Sequence, residues 1–279
     1  MSLATTNSRV NNPPPNRPRP RARSRPRSSF SFLIATFFVL LTTSHAAPSD
    51  SPFATRARRL YLATQQQYQH EPDQIPAAWQ FARACFDAAE FANNSTERAA
   101  IAEQGIAACR NALAQNSNSA PSHYYLAMNI GQLAETKTLG ALKLVPQIEA
   151  QFIRARDLDE HFDYAGPDRN LGMLYRDAPA LGSIGSRPKA RRHLLRAVEL
   201  APDYPDNHLA LAEAYLKWND RAAARREIVA LEELWPKARK NLSGEDWDAS
   251  WADWTTRLHE LKRKLDESSR ALESPRGKQ

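Results

Sequence analysis

Ala190-x3-Leu194-x2-Ala197-x2-Leu200-x-Pro202 is followed 34 residues later by Ala224-x3-Ile228-x2-Leu231-x2-Leu234-x-Pro236. Small and apolar residues at steps of three and four mark one face of a helix, and here the same face is written twice. A small residue at Ala190 and Ala224 lets two antiparallel helices approach closely. Each proline is expected to stop its helix and turn the chain into the next. Between the two copies, Leu211-Ala212-x2-Tyr215 supplies small-plus-aromatic packing on a partner helix, and Leu171-Gly172-x2-Tyr175 does the same earlier in the chain. Gly172 and Ala212 are therefore expected where the two helices of a pair meet.

Phe152-x2-Ala155-x2-Leu158-Asp159 is a looser copy of the second-helix face, with Leu126-Ala127-x2-Ile130 as the first helix before it. Three consecutive helix pairs with a 34-residue period resemble the tetratricopeptide repeat, whose pairs stack into a solenoid. The expected fold is all-α. A signal peptide over 1–46 and N-terminal helices over 47–120 precede tetratricopeptide-like repeats over 121–236, and a capping helix over 237–267 and a disordered tail over 268–279 follow. The middle pair is enlarged, because Tyr175 to Ala190 spans 15 residues where Tyr215 to Ala224 spans 9. The excess lies in the Pro- and Gly-rich stretch Asp177 to Pro188, either a binding insertion or a tolerated surface loop.

The N-terminus changes the meaning of the composition. Residues 1–29 hold seven arginines and no acidic residue, Phe30 to Leu41 is mostly apolar, and Ser44-His45-Ala46 places small residues where a signal peptidase reads. Export with cleavage after Ala46 is expected, to the periplasm or beyond. A retained anchor and an organellar transit peptide are the alternatives, but twelve residues fall short of the ~20 that a span needs. The whole chain carries a formal charge of +7, and without those seven arginines 31 basic groups face 31 acidic ones. The basicity belongs to the leader, so nucleic-acid binding is not expected of the mature chain.

An oxidising compartment permits a disulfide between Cys85 and Cys109. Their helical register offsets them by roughly 9 Å about a turn near Asn94, leaving a bridge and two buried free thiols both open. Two cysteines without a nearby histidine do not make a zinc site. At the other end Trp247, Trp251, Trp254, Leu258, Leu261 and Leu265 recur at steps of three and four, the stripe of a helix that caps the last repeat. Ser243 with Asp246 resembles that helix's capping box.

Chemistry is scarce. No glycine-rich phosphate loop, His-Glu-x-x-His or nucleophile elbow occurs, and the histidines are scattered. His161-Phe162-Asp163-Tyr164-Ala165-Gly166-Pro167-Asp168-Arg169 collects metal-binding atoms, but it also reads as a helix-to-helix turn. Neither an enzyme, a metal nor a cofactor is expected.

His123-Tyr124-Tyr125-Leu126-Ala127-Met128-Asn129-Ile130-Gly131-Gln132, Leu158-Asp159, Gly166-Pro167-Asp168-Arg169-Asn170-Leu171-Gly172 and the loop from Asp177-Ala178-Pro179 to Gly185 together resemble the T-component family of TRAP transporters over roughly residues 75–240. The resemblance implies a periplasmic helical-repeat protein that forms an oligomer and assists the solute-binding subunit. Two roles follow: an adaptor holding a protein partner on a concave wall, or an oligomer enclosing a small-molecule cavity. The wall is expected from first-helix residues not spent within a pair, chiefly Tyr125, Asn129, Gln132, Arg169, Met173 and Arg176, with Leu209, Glu213 and Leu216 beyond them. Arg169 and Arg176, seven residues apart on one helical face, are suited to grip a carboxylate.

Overall fold

A computed structural model describes residues 51–137 and 140–273, with side chains to residue 267, so the expected signal peptide lies outside the described residues. Helices and turns account for all the described secondary structure. The helices are α1 (Pro52–His70), α2 (Ile75–Ala89), α3 (Ser95–Gln115), α4 (Ala120–Glu135), α5 (Ala141–Leu158), α6 (Phe162–Asp177), α7 (Arg187–Leu200), α8 (Pro205–Lys217), α9 (Arg221–Asn241) and α10 (Asp248–Glu273). None is long and apolar enough to cross a membrane.

Local chemistry sets the starts. Ser51, Asn94, Ser119, Ser186 and Asp220 each accept a backbone N–H of their helix's first turn through the side chain. Proline at the first or second position opens α1, α2, α4, α7 and α8, where its missing N–H costs nothing. Glu97 adds a return bond to the Asn93 N–H at 2.7 Å, which fixes the entry to α3.

The helices pack mainly with their chain neighbours: α2 on α3, α4 on α5, α6 on α7 and α8 on α9. The pairing thus begins before residue 121, since α2 and α3 meet each other and α4 as the later pairs do. Helices α2, α4, α6, α8 and α10 form the layer of first helices, and α10 closes it against α8 and α9. Gly172 sits where expected: a Cβ there would stand 2.5 Å from Leu194 Cγ. Ala190, Ala197, Ala212 and Ala224 are fully buried.

The cap also forms. Trp247, Trp251, Trp254, Leu258, Leu261 and Leu265 are buried in one cluster with Leu209, Ile228 and Leu231. Its entry differs from expectation. Ser243 and Asp246 do not cap a helix: Gly244 at φ 95° turns the chain, and α10 starts at Asp248 and reaches Glu273, beyond the expected end at 267. Pro236 differs as well, because α9 runs through it to Asn241, whereas α7 ends at Leu200 just before Pro202. The extension carries buried Ala238 and leads to buried Leu242, whose carbonyl accepts the Trp251 Nε1–H at 2.5 Å. Packing on the cap outweighs the hydrogen bond that an interior proline removes.

Cys85 and Cys109 are free, both fully buried in α2 and α3. Burial pushes both thiols well above the ordinary cysteine range. The first and last parts of the array also touch. Arg56 of α1 donates to the Glu245 carbonyl and to Asp246 in the turn before α10, and Arg59 stands 3.5 Å from Glu245 Oε1.

Candidate interaction site

Helix α6 begins with a turn of the wrong hand. Asp163, Tyr164 and Ala165 have φ of 52°, 56° and 60°, all left-handed, before right-handed helix resumes at Gly166. Each such residue costs about 1–2 kcal/mol, so the surroundings must hold the turn. They do so from three helices. Tyr124 Oη donates to Asp163 Oδ2 at 2.5 Å, and Arg169 Nη2 donates to the same oxygen at 3.1 Å. Arg169 Nη1 and Asn207 Nδ2 donate to the Tyr164 carbonyl at 3.1 and 3.2 Å. Asn170 Nδ2 donates to Tyr124 Oη at 2.9 Å. Gly166 is required because a Cβ there would come within 2.7 Å of Tyr124 Oη. The turn aims Phe162 back at Tyr124 and Tyr125, and stacks Tyr164 on Tyr204 with ring centroids 4.4 Å apart.

The segment His161 to Arg169 is thus a turn whose acids are drawn apart. Asp163 belongs to Tyr124 and Arg169, while Asp168 Oδ1 meets His193 Nδ1 at 2.6 Å. The second oxygen of Asp168 is buried without a hydrogen-bond partner among the described residues. The same place in the neighbouring pairs holds His208 with Glu227 at 3.0 Å and His123 with Gln151 at 2.6 Å. These three pairs share a polar contact at one place, with its chemistry permuted.

Of the expected wall residues, Tyr125, Asn129, Gln132, Arg169, Met173, Arg176 and Leu209 are buried, which corrects their placement on an open surface, while Glu213 and Leu216 keep part of their surface in solvent. Tyr125 stacks on Trp79, and Asn129 Nδ2 donates to the Ala82 and Tyr125 carbonyls, each at 2.8 Å, with Gly105 making room for its side chain. Gln132 Oε1 accepts from Arg98 at 3.3 Å. Met173 lies in the cluster with Leu194 and Leu209. Arg169 is fully buried, 3.3 Å from Asp206 through Nε, with Nη1 2.9 Å from Asn207 Oδ1. Arg176 meets Asp177 at 2.7 Å and Glu213 at 3.3 Å. Arg257 of α10, which the sequence reading passed over, completes the set by pairing with Asp206 and Glu213, each at 2.6 Å.

One line of alternating charge therefore crosses α6, α8 and α10, from Asp163 through Arg169, Asp206, Arg257, Glu213 and Arg176 to Asp177. Burial alone would lower the pKa of each arginine, but the adjoining carboxylates override it, and all three are raised. They stay charged at any physiological pH. The line sets the register of the first helices, and solvent at this layer meets partly exposed neighbours such as Trp79, Leu133, Glu213 and Leu216.

Comparison with known proteins agrees with this architecture. Among solved structures, TTC0263, a thermophilic TPR protein in Thermus thermophilus, is similar with a TM-score of 0.54 and 17% identity, over 73% of this chain and 91% of that one. The fold is TPR-like. MamA is similar with a TM-score of 0.46 and 15% identity, over 69% of this chain and 99% of its own. The family described as regulator of microtubule dynamics protein 1-3 matches residues 46–142, the stretch from before α1 into the start of α5 and less than half of the chain. No curated protein matches.

Proposed function

We propose that this chain is a non-enzymatic, exported scaffold that holds a protein partner. The observation that carries the reading is the stacked array of helix pairs, whose first helices are locked in register by the buried charge line rather than by ligand-dependent contacts. Such a frame presents partly exposed side chains at fixed spacing, as helical-repeat binders do. The motifs from His123 to Gln132 and from Gly166 to Gly172 favour the finer role of accessory to a TRAP-type solute transporter. Co-purification with the transporter's solute-binding subunit tests it. Retention of that subunit on the immobilised chain, weakened by Leu133→Asp or Leu216→Asp, is the expected result, and no retention would remove the transport role. A second reading comes from the match over residues 46–142 to the regulators of microtubule dynamics. Co-sedimentation with polymerised tubulin, set against the solute-binding subunit, separates the two.

A further inference from the structure

We propose that the edge of the solenoid carrying the turns from first to second helices docks on an anionic lipid surface. Antiparallel pairing places the start of α5, the loop between α6 and α7 and the turn before α9 on the same edge. Side chains join them there. Lys189 lies 4.8 Å over the Tyr175 ring and 3.8 Å from Glu149 of α5, Arg187 lies 5.3 Å over Trp218, and Arg191 lies 5.7 Å over Tyr215.

Two apolar side chains project from this edge. Leu181 at the tip of the α6–α7 loop is 93% exposed, far more than any other large hydrophobic residue among those described, and Leu142 in the first turn of α5 is 42% exposed. The loop is built to hold Leu181 out. Its base is closed by the Gly185 N–H donating to the Pro179 carbonyl at 3.1 Å and the Ser186 N–H to the Tyr175 carbonyl at 2.9 Å, while Ile184 packs into the core. Gly185 allows the closure, since a Cβ there would fall 2.1 Å from the Ala178 carbonyl oxygen.

Basic side chains repeat around these leucines. Arg187, Arg191 and Arg192 recur 34 residues later as Arg221, Arg225 and Arg226, so the first turns of α7 and α9 carry arginine and no acid. That placement opposes the helix dipole. The nearby carboxylates are occupied: Asp177 by Arg176 and Lys217, Asp220 by the α9 cap, and Glu149 by the Tyr175 hydroxyl. Among the described residues no carboxylate pairs with Arg187, Arg191, Arg192, Arg221 or Arg226. A leucine raised on a loop tip gives a protein partner little area to cover, but a bilayer desolvates all of it while headgroup phosphates meet the arginines.

Both native cysteines are buried, so a Leu181→Cys full-length chain can be labelled at that one site with a polarity-sensitive fluorophore. This probe reports the edge itself, which vesicle flotation would not, given the apolar run Phe30 to Leu41. A blue shift is expected with phosphatidylcholine/phosphatidylglycerol vesicles and none with phosphatidylcholine alone. Adding Arg187→Glu and Arg221→Glu should weaken the apparent partitioning at least about tenfold, as the loss of two bases at a charged surface predicts. Glutamate suits a helix's first turn, so these variants remain folded, as circular dichroism will verify. No shift with anionic vesicles, or a shift that survives the charge reversals, overturns the proposal. A shift with polyglutamate but not with vesicles overturns it too, and assigns the edge to an acidic polypeptide.

Discussion

The pair α6–α7 and the pair α8–α9 follow one template and spend it differently. Both set a small residue of the first helix, Gly172 or Ala212, against the second helix, and both fix the two helices with a histidine and an acid at matching positions. In α6–α7 the acid is on the first helix and the histidine on the second, Asp168 with His193; in α8–α9 the order is reversed, His208 with Glu227. His208 also reaches the Pro202 carbonyl at 2.9 Å, a contact that ties the helix to the preceding turn. Asp168 has no such second partner and keeps one oxygen unsatisfied among the described residues. The pair at the centre of the array thus carries the left-handed turn, the orphaned oxygen and the long loop. The pair next to the cap is the better satisfied of the two, and its second helix grows through Pro236 to meet α10.

Removing the cap should break the comparison most severely. Truncation after Asn241 uncovers the α8–α9 face buried under Trp247, Trp251 and Trp254, and loss of cooperative thermal unfolding or aggregation is expected. A soluble, cooperatively unfolding truncation would show that α8–α9 needs no cover. Next comes Gly172→Leu, expected to lower stability by about 3 kcal/mol in urea titration because Leu194 already stands where the new side chain must go. Ala212→Leu should cost less, within about 1–3 kcal/mol, since that pair already accommodates a Cβ. Equal costs would mean that the two interfaces are equally tight.

Exchanging the polar pair sharpens the contrast. Asp168→His and His193→Glu should each destabilise by about 1–3 kcal/mol, by leaving a buried polar group mispaired. The double variant, which copies the α8–α9 order, should recover at least half of the summed loss in a double-mutant cycle. Simple additivity would make the contact incidental. The smallest effect contrasts these pairs with α2–α3, whose packing includes two buried thiols. The folded chain keeps Cys85 and Cys109 protonated where the unfolded chain releases both protons. Their contribution is therefore whole below the unfolded thiol pKa of about 8.5 and declines above it, by about 1.4 kcal/mol per pH unit for each thiol. Urea midpoints at about pH 8 and about pH 10 should diverge less in a Cys85→Ala, Cys109→Ala variant than in the parent, and an unchanged slope would refute the assignment.

The repeat, the packing role of Gly172 and the apolar stripe of the cap were legible in the sequence, because each is a spacing along one helix. The buried fate of Arg169, Arg176 and Asn129 was not. A helical wheel separates the face spent within a pair from the rest, but it does not say which of the remaining positions the next first helix covers. Arg169 is covered by Asp206 and Asn207 and Arg176 by Glu213, all from α8 and 37 or more residues on, while Asn129 is covered from the preceding pair at Ala82 and Gly105, and no spacing announces them. The left-handed turn is hidden for the same reason. Asp163, Tyr164 and Ala165 have no intrinsic preference for positive φ beyond that of an aspartate, and only Gly166 beside them hints at crowding. Pro236 misled in the opposite direction, since a strong local signal yielded to the contacts of Ala238 and Leu242 with the cap.

Stacked helix pairs ordinarily have short-range topology: each contact spans a few dozen residues, and the array can zip up from any point. The ion pairs of Arg56 with Glu245 and Asp246 join residues 189 and 190 positions apart, so the array also has a ring closure. The entropy of closing so large a loop grows only slowly with its length, and most of that loss is already met once the intervening helices have stacked. Closure is then a late and separable event, governed by a contact whose carboxylates face solvent and are open to screening by salt, while the stacking beneath it rests on apolar burial that salt does not weaken. Ionic strength should therefore act on this molecule as it would on a split ring, opening or shutting one gap while the curvature of the band stays as it is.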